Sequence, residues 1–360
     1  MLGSGVTGVA GCGSITGRAM LYALARNLLF KLEPETAHAL ALGAIARSGA
    51  FPPLRAAVAA RFSAPDAEPV EVFGLRFPNR VGLAAGYDKD GVGWRGLSAL
   101  GFGHIEVGTV TPLPQPGNPK PRVFRLSDQR SLINRMGFPG GGAEAVAKRL
   151  GRPDTTEVVI GVNIGKQKTT PLEAAAGDYE QLMEVFAPLA DYLAVNISSP
   201  NTPGLRRLQD PAFLGDLLGR IATRQAALAD AAGSRVPVLV KLAPDLDRDQ
   251  LRTAVDAVVE AGLDGIIATN TTVSRDQVVG HPRAVEEGGL SGAALSELST
   301  RIVAAIADHL GGALPVVGVG GIMSPEDARA KLDAGATLIQ LYTGLIYEGP
   351  GLVKRILQAL

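Results

Sequence analysis

The chain has 360 residues, 46% of them apolar and 19% charged, with 45 glycines. That composition fits a soluble α/β protein rich in tight turns and excludes a disordered or fibrous one. Thirty-five basic side chains balance 35 acidic ones, so no basic excess marks a nucleic-acid binder. The single cysteine, Cys12, excludes an internal disulfide and a thiolate metal cluster. The four histidines, His38, His104, His281 and His309, lack the spacing that places two metal ligands on one helix face, so no metal site is expected.

In chain order, residues 1–17 are uncharged and Gly-rich. Gly3, Gly5 and Gly8 carry the spacing of a dinucleotide fingerprint, but only Met1 and Leu2 precede them, which leaves no strand to feed the turn. No basic residues open this segment, as a secretory signal requires. From Met20 two amphipathic patterns follow, MLYALARNLLFKL and ETAHALALGAIARSG, separated by the helix-starting Glu33-Pro34-Glu35. Leu21, Leu24 and Leu28 share one face, and Arg18, Arg26 and Lys31 interrupt any charge-free run of the roughly 18 residues that a spanning helix needs. The pattern is open to two readings: a helix pair lying on a bilayer, or a helical cap packed on the main domain.

Eight apolar runs then recur at intervals suited to a strand, a loop and a helix: RVGLAAG, HIEVGTVT, VVIGVNIG, YLAVNISS, VPVLVKLAPD, GIIATNTT, PVVGVGG and TLIQLYTG. Right-handed closure of eight such units predicts an α/β fold, a (β/α)8 TIM barrel preceded by a small N-terminal helical domain. Sites in that architecture gather at the carboxyl ends of the strands. The polar residues of this chain fall at those ends: Lys89, Thr109, Asn163, Asn196 with Ser199, Lys241, Thr269 with Asn270 and Thr271, Gly320 with Gly321, and Tyr342 with Thr343. The densest set is VNISSPNTPG, from Val195 to Gly204. After the seventh strand GVGGI leads into SPEDA, and YTG follows the eighth, which together predict bare backbone amides beside a helix start, a phosphate site.

This inventory holds no clustered acid pair, no histidine-based nucleophile and no metal ligands, so hydrolysis by the familiar routes is disfavoured. Lysines and amides suit a planar, carbonyl-rich substrate. Redox chemistry would require a cofactor, because these side chains accept no electrons, and a phosphate-anchored flavin would fit.

The motifs LAAGYDKDG, EVGTVTPLPQPGNPKPRVFRL, LINRMGF, GVNIGK, VNISSPNTPGLR, KLAPD, ATNTT, GGLSG, GVGGI and LYTG together resemble the quinone-dependent, class 2 dihydroorotate dehydrogenases, over residues 20–360 and in the family's order. The resemblance implies oxidation of (S)-dihydroorotate to orotate in pyrimidine biosynthesis, with FMN as cofactor and a membrane quinone as acceptor. It implies a division into an extension (1–19), a helical quinone-associated domain (20–64) and a catalytic barrel (65–360). FMN contacts are implied at Ala85, Gly86, Tyr87, Asp88, Lys89, Thr109, Asn163, Asn196, Lys241, Thr269, Gly292, Gly321, Tyr342 and Thr343. Substrate contacts are implied at Lys89, Asn134, Arg135, Met136, Gly137, Phe138, Asn196, Asn201, Asn270 and Thr271.

Ser199 takes the position of the catalytic base, which relays the C5 proton while hydride leaves C6, and Lys89 steadies the resulting charge. Class 1 relatives use a cysteine there, and this chain has none after Cys12. Ser198 should point to the opposite face. The resemblance also favours peripheral contact of the helix pair with the cytoplasmic side of the inner membrane, with Phe30 near the quinone path. The family often carries two asparagines where this chain has Pro139 and Gly140, a change expected to alter substrate-edge contacts or the loop's backbone. Other flavin barrels that reduce fumarate or NAD, and a catalytically silent flavin protein, are the competing readings. The serine and the helical extension argue against them.

Overall fold

A computed structural model describes residues 22–64, 66–151 and 156–360. The glycine spacing at Gly3, Gly5 and Gly8, and Leu21, lie outside the described residues. Residues 22–29 form a helix, α1. Two more follow, α2 (Pro34–Ala50) and α3 (Pro52–Phe62), each with proline in its first turn, where the missing N–H costs nothing. The Glu33 carboxylate caps α2 by accepting from the Thr36 N–H at 2.9 Å.

The catalytic-sized body begins with a short antiparallel hairpin, β1 (Val70–Val72) and β2 (Leu75–Phe77). Eight parallel strands then close into a barrel: β3 (Val81–Leu83), β4 (His104–Val110), β7 (Val159–Ile164), β8 (Tyr192–Asn196), β9 (Val238–Leu242), β10 (Gly265–Ala268), β12 (Val316–Val319) and β13 (Leu338–Leu341). Every one is a run expected from the sequence. Helices α4 (Trp94–Ser98), α5 (Gly142–Leu150), α6 (Ala175–Phe186), α7 (Pro211–Ala232), α8 (Arg248–Glu260), α9 (Ser296–Leu310), α10 (Pro325–Asp333), α11 (Thr343–Glu348) and α12 (Gly351–Leu357) connect and flank them. This is the (β/α)8 arrangement.

Because successive side chains of a strand point to opposite faces, each barrel strand feeds two cores. On β8, Leu193 and Val195 pack outward against the helices, while Tyr192 and Ala194 join an interior cluster with Val159, Leu239, Ile267, Val317 and Leu338. Val72 and Phe77 of the hairpin belong to that interior cluster, so β1 and β2 plug the amino-terminal end. The open end is therefore the carboxyl one.

A three-stranded antiparallel sheet not foreseen from the sequence, β5 (Val123–Leu126), β6 (Ser131–Asn134) and β11 (Gly289–Gly292), brings Asn134 and Gly292 into direct register with their neighbours, Gly289 opposite Asn134 and Gly292 opposite Ser131. Loops leaving the fourth and tenth strands of the chain, β4 and β10, are joined by it.

The helical segment docks on the body through backbone and charge. A Cβ on Gly96 of α4 would lie 2.0 Å from the Ile45 carbonyl oxygen of α2, so only glycine admits this approach. Arg122 pairs with Glu35 at 2.8 Å, Arg26 donates to the Tyr347 carbonyl at 2.8 Å, and the Tyr22 hydroxyl donates to the Ile346 carbonyl at 2.7 Å. Gly96→Val should cost about 1–3 kcal/mol through overpacking. A lowered melting temperature together with faster tryptic cleavage within residues 34–62 is expected, and unchanged protection of that segment would contradict this account of docking.

Candidate active site

The carboxyl ends of the barrel strands enclose a cavity of about 980 Å³, counted to its open mouth. Ala85 and Gly86 follow β3 into its wall, and Lys89 lies in the next loop. Thr109, Asn196 and Lys241 come from β4, β8 and β9, and Thr269, Asn270 and Thr271 from the end of β10. Gly320 and Gly321 follow β12, and Tyr342 and Thr343 follow β13. The outer sheet and its loop contribute Asn134, Met136, Gly137, Phe138 and Gly292, and the loop after β8 contributes Ser199 and Asn201. The structure thus gathers most of the residues singled out from the sequence around one space.

Four do not line it. Asn163 stands one layer back, its Oδ1 accepting from Thr109 Oγ1 at 2.5 Å and from Asn196 Nδ2 at 3.1 Å. Arg135 turns away to pair with Glu286 at 2.8 Å and stack on Phe124 at 4.5 Å. The Asp88 carboxylate accepts from the backbone N–H groups of Val92 and Gly93 and shapes the turn that presents Lys89. Tyr87 packs edge-on against His38, 5.0 Å between ring centres.

Lys89 donates to the Gly86 carbonyl at 2.5 Å. Burial of its ammonium lowers its pKa to about 8, with Glu35 opposing the shift and Arg122 adding to it. Ser199 is 5% exposed, and its Oγ accepts from the Asn201 N–H at 3.3 Å. Ser198, by contrast, is absorbed into the wall, accepting from Asn270 Nδ2 at 3.0 Å. Asn201 Nδ2 donates to Asn134 Oδ1 at 3.0 Å, which links the loop after β8 to the outer sheet.

Sequence reasoning passed over Arg206, which fastens that loop. Its guanidinium donates to the carbonyls of Ser198 at 3.0 Å and Thr271 at 2.8 Å and pairs with Asp245 at 2.8 Å. Glu106 and Gln340 were also passed over. The signal was present: each is a lone polar residue inside an apolar run, HIEVGTVT and TLIQLYTG.

The glycine turn after β12 leads into α10, which the Ser324 side chain caps by accepting from the Asp327 N–H at 3.2 Å. Gly320, Gly321 and Ile322 of that turn line the cavity, as do Tyr342, Thr343 and Gly344 at the start of α11, whereas Ser324 and Pro325 do not. At Gly321, φ is +75° and a Cβ would lie 2.2 Å from the Ser296 Cα, so a bare backbone is required there.

Two buried oxygens bear on what the cavity can hold. Gln340 Oε1 and Asn201 Oδ1 are bonded to no described residue, although both residues line the space. Acceptors of this kind, with the Lys241 side chain beside Gln340 and the bare glycine backbone of the wall, fit a flavin with its ring N–H, ring oxygens and phosphate.

A second, larger cavity lies beneath the helical segment, lined by Phe30, His38, Tyr87 and Arg122 among others. Lys89, Met136 and Tyr342 line both cavities. Pro139 and Gly140 belong to the second one only, so the departure at these positions falls away from the substrate edge.

The family model described as dihydroorotate dehydrogenase matches residues 69–360. The chain belongs to this family. Proteins named dihydroorotate dehydrogenase (quinone) from Teredinibacter turnerae and Thiobacillus denitrificans are 52% and 51% identical to it, covering 94% and 95% of this chain and 98% and 99% of their own. Among solved structures, dihydroorotate dehydrogenase from Eimeria tenella in complex with ferulenol superposes with a TM-score of 0.82 at 35% identity, covering 91% of this chain and 90% of that one. The ligand-free Eimeria tenella form gives 0.81 at 36% identity, with 91% and 94% covered. Dihydroorotate dehydrogenases are oxidoreductases, and among the described residues no group of three or more His, Cys, Asp and Glu side chains is arranged to hold a metal ion.

Proposed function

We propose that this chain oxidises (S)-dihydroorotate to orotate with bound FMN and a membrane quinone as final acceptor, the redox step of pyrimidine biosynthesis. The observation that carries the reading is a cavity in which the Ser199 hydroxyl and the Lys89 and Lys241 side chains face a ring of amides, with Lys89 also forming part of the wall of a second cavity. FMN, when bound, supplies the two-electron acceptor and the link to quinone.

The chain's own groups do the rest. Asn134 Oδ1 is engaged by Asn201, which leaves the Asn134 N–H groups and the Asn201 oxygen to read a planar ring edge, while Asn270 is held in the wall by Ser198 and Asn196. Ser199 Oγ takes the proton from C5 of the substrate. Serine is a weak base, and the Asn201 N–H donated to its oxygen favours the deprotonated form, with the hydroxyl proton leaving through the pocket mouth. Lys89 holds the negative charge that develops on the substrate, and the enclosing wall excludes bulk water, which strengthens that attraction.

Quinone would enter through the second cavity, reaching the wall formed by Lys89, Met136 and Tyr342. Phe30 helps to line that route, fixed by Arg125 at 4.5 Å and by the Tyr347 ring at 5.4 Å. The helical segment bounding the entrance carries Leu24, Leu28, Leu32, Leu40, Phe51 and Leu54 on the surface, six of the 13 exposed large apolar side chains among the described residues. That exposed apolar set supports a surface-lying mode, proposed for the cytoplasmic side of the inner membrane. Among the described residues no helix is long and apolar enough to cross a membrane.

Anaerobic mixing with dihydroorotate should bleach the flavin absorbance within the mixing experiment, and Ser199→Ala should retain flavin yet reduce it at least 100-fold more slowly, the lower end of a general-base contribution of about 10²–10⁴. A fully loaded protein that dihydroorotate does not bleach would overturn the substrate assignment. Because the Lys89 pKa is lowered to about 8, its ammonium is present below that pH and lost above it. Orotate affinity should accordingly fall about tenfold per pH unit above 8, and Lys89→Met should bind weakly with that pH dependence removed. Flotation with anionic lipid vesicles should recover the protein in the lipid fraction, and replacing Leu24 and Leu28 together with glutamate should return it to the aqueous fraction. Recovery of both forms in the aqueous fraction would contradict the membrane mode.

A further inference from the structure

Below the active-site cavity, the Glu106 carboxylate is fully buried and accepts from four side chains. Asn163 Nδ2 and Gln340 Nε2 donate at 2.8 Å, the Lys241 ammonium at 3.2 Å and the Tyr192 hydroxyl at 3.3 Å. An ionised carboxylate can only accept, so every amide facing it must present its NH₂ and turn its oxygen elsewhere.

That constraint propagates upward. With its NH₂ committed to Glu106, Asn163 offers Oδ1 to Thr109 and to Asn196 Nδ2. Asn196 then turns its own oxygen toward Asn270 Nδ2, at 3.3 Å. Gln340, committed in the same way, is left with the unpartnered Oε1 in a residue that lines the cavity. One carboxylate thereby fixes the orientation of four amides, three of which line the cavity.

We propose that Glu106 is a positioning residue: it pairs with Lys241 at the cavity floor, turns the amides of Asn163 and Gln340, and so sets the reduction potential of the flavin. This rests on the flavin reading above. Burial alone would push the Glu106 carboxyl upward, but the Lys241 charge and the donors from Gln340, Lys241 and Asn163 hold it below the usual range. The other titratable groups nearby are His104 on the same strand, lowered to about 4 by burial, and Tyr192 on β8, raised well above its ordinary value by burial and by Glu106. Neither titrates between pH 6 and 8.5. Lys89, across the cavity, is common to every variant below and cancels in differences.

The test is the midpoint potential of the flavin in the holoenzyme across pH 6 to 8.5, in the wild type, Glu106→Gln and Glu106→Asp. Glu106→Gln removes the carboxylate's negative charge from beneath the cavity and leaves Lys241 in place, which favours the more electron-rich reduced flavin. The Glu106→Gln potential should therefore lie above that of the wild type by at least about 30 mV throughout this range, a tenfold change in the ratio of oxidised to reduced flavin for a two-electron couple. Glu106→Asp, which keeps the charge, should follow the wild type. A purely structural role would lower stability and leave the potential unmoved. Should Glu106→Gln fail to fold, Glu106→Gln/Lys241→Met removes both buried charges together, a replacement that cores often tolerate, and, having lost the cation at the cavity floor, should lie at least about 30 mV below the wild type. A smaller gap in folded, flavin-loaded protein overturns the inference and leaves the flavin reading intact. Wild-type protein that takes up no flavin overturns that reading, and this inference with it.

Discussion

The ladder between β3 and β13, with Val81 to Leu83 opposite Ile339 to Leu341, is the contact on which the rest of the structure depends. It joins segments more than 250 positions apart and converts an open sheet with two edges into a closed one. Closure brings the polar tips of the first and last barrel strands into one rim. Gly86 and Tyr342 meet there, the Tyr342 hydroxyl 3.4 Å from the Gly86 carbonyl. Such non-local pairing is slow to form because chain entropy is lost before the contacts repay it.

Inside the ring, polarity is graded along the axis. The plugged end is filled by Phe77, Tyr192, Leu239 and Leu338, and the open end by the carboxylate, lysine and amides. A buried ion pair seldom adds net stability over an apolar pair of the same volume, and losing one partner costs about 3–5 kcal/mol. The Glu106–Lys241 pair is thus costly to disturb and poor as a means of stabilisation. Its place directly under the cavity makes sense as electrostatics supplied to a ligand rather than as cohesion for the fold.

The eight barrel strands were legible because parallel strands buried on both faces read as continuous apolar runs, and because polar residues at their ends mark the open rim. The outer sheet was not. β5 and β6 carry arginine and serine among few apolar residues, and β11 is Gly-Leu-Ser-Gly, a strand only by virtue of pairing with β6. Site residues at strand ends were legible for the same reason as the strands. Neighbours in a loop were not separable, since nothing local tells that Lys89 faces the cavity while Asp88 folds back on Val92 and Gly93. The turns GVGGI and YTG were legible as glycine-bearing strand ends, whereas nothing local told that Ser324 and Pro325 stand off the cavity wall. Glu106 was hidden by its context, one carboxylate in a strand otherwise read for its apolar pattern.

The wall shared by the two cavities has a consequence for how this protein can vary. Lys89, Met136 and Tyr342 each present a surface to both spaces. A side chain at any of the three must satisfy the shape and charge of two chambers at once. Substitutions there are filtered twice, so fewer are acceptable than at positions such as Pro139 and Gly140, which border one chamber only. Sequence drift, and any engineering toward a different electron acceptor, therefore has its freedom in the outer helices and the 139–142 loop, with the shared wall as the fixed point around which both must be rebuilt.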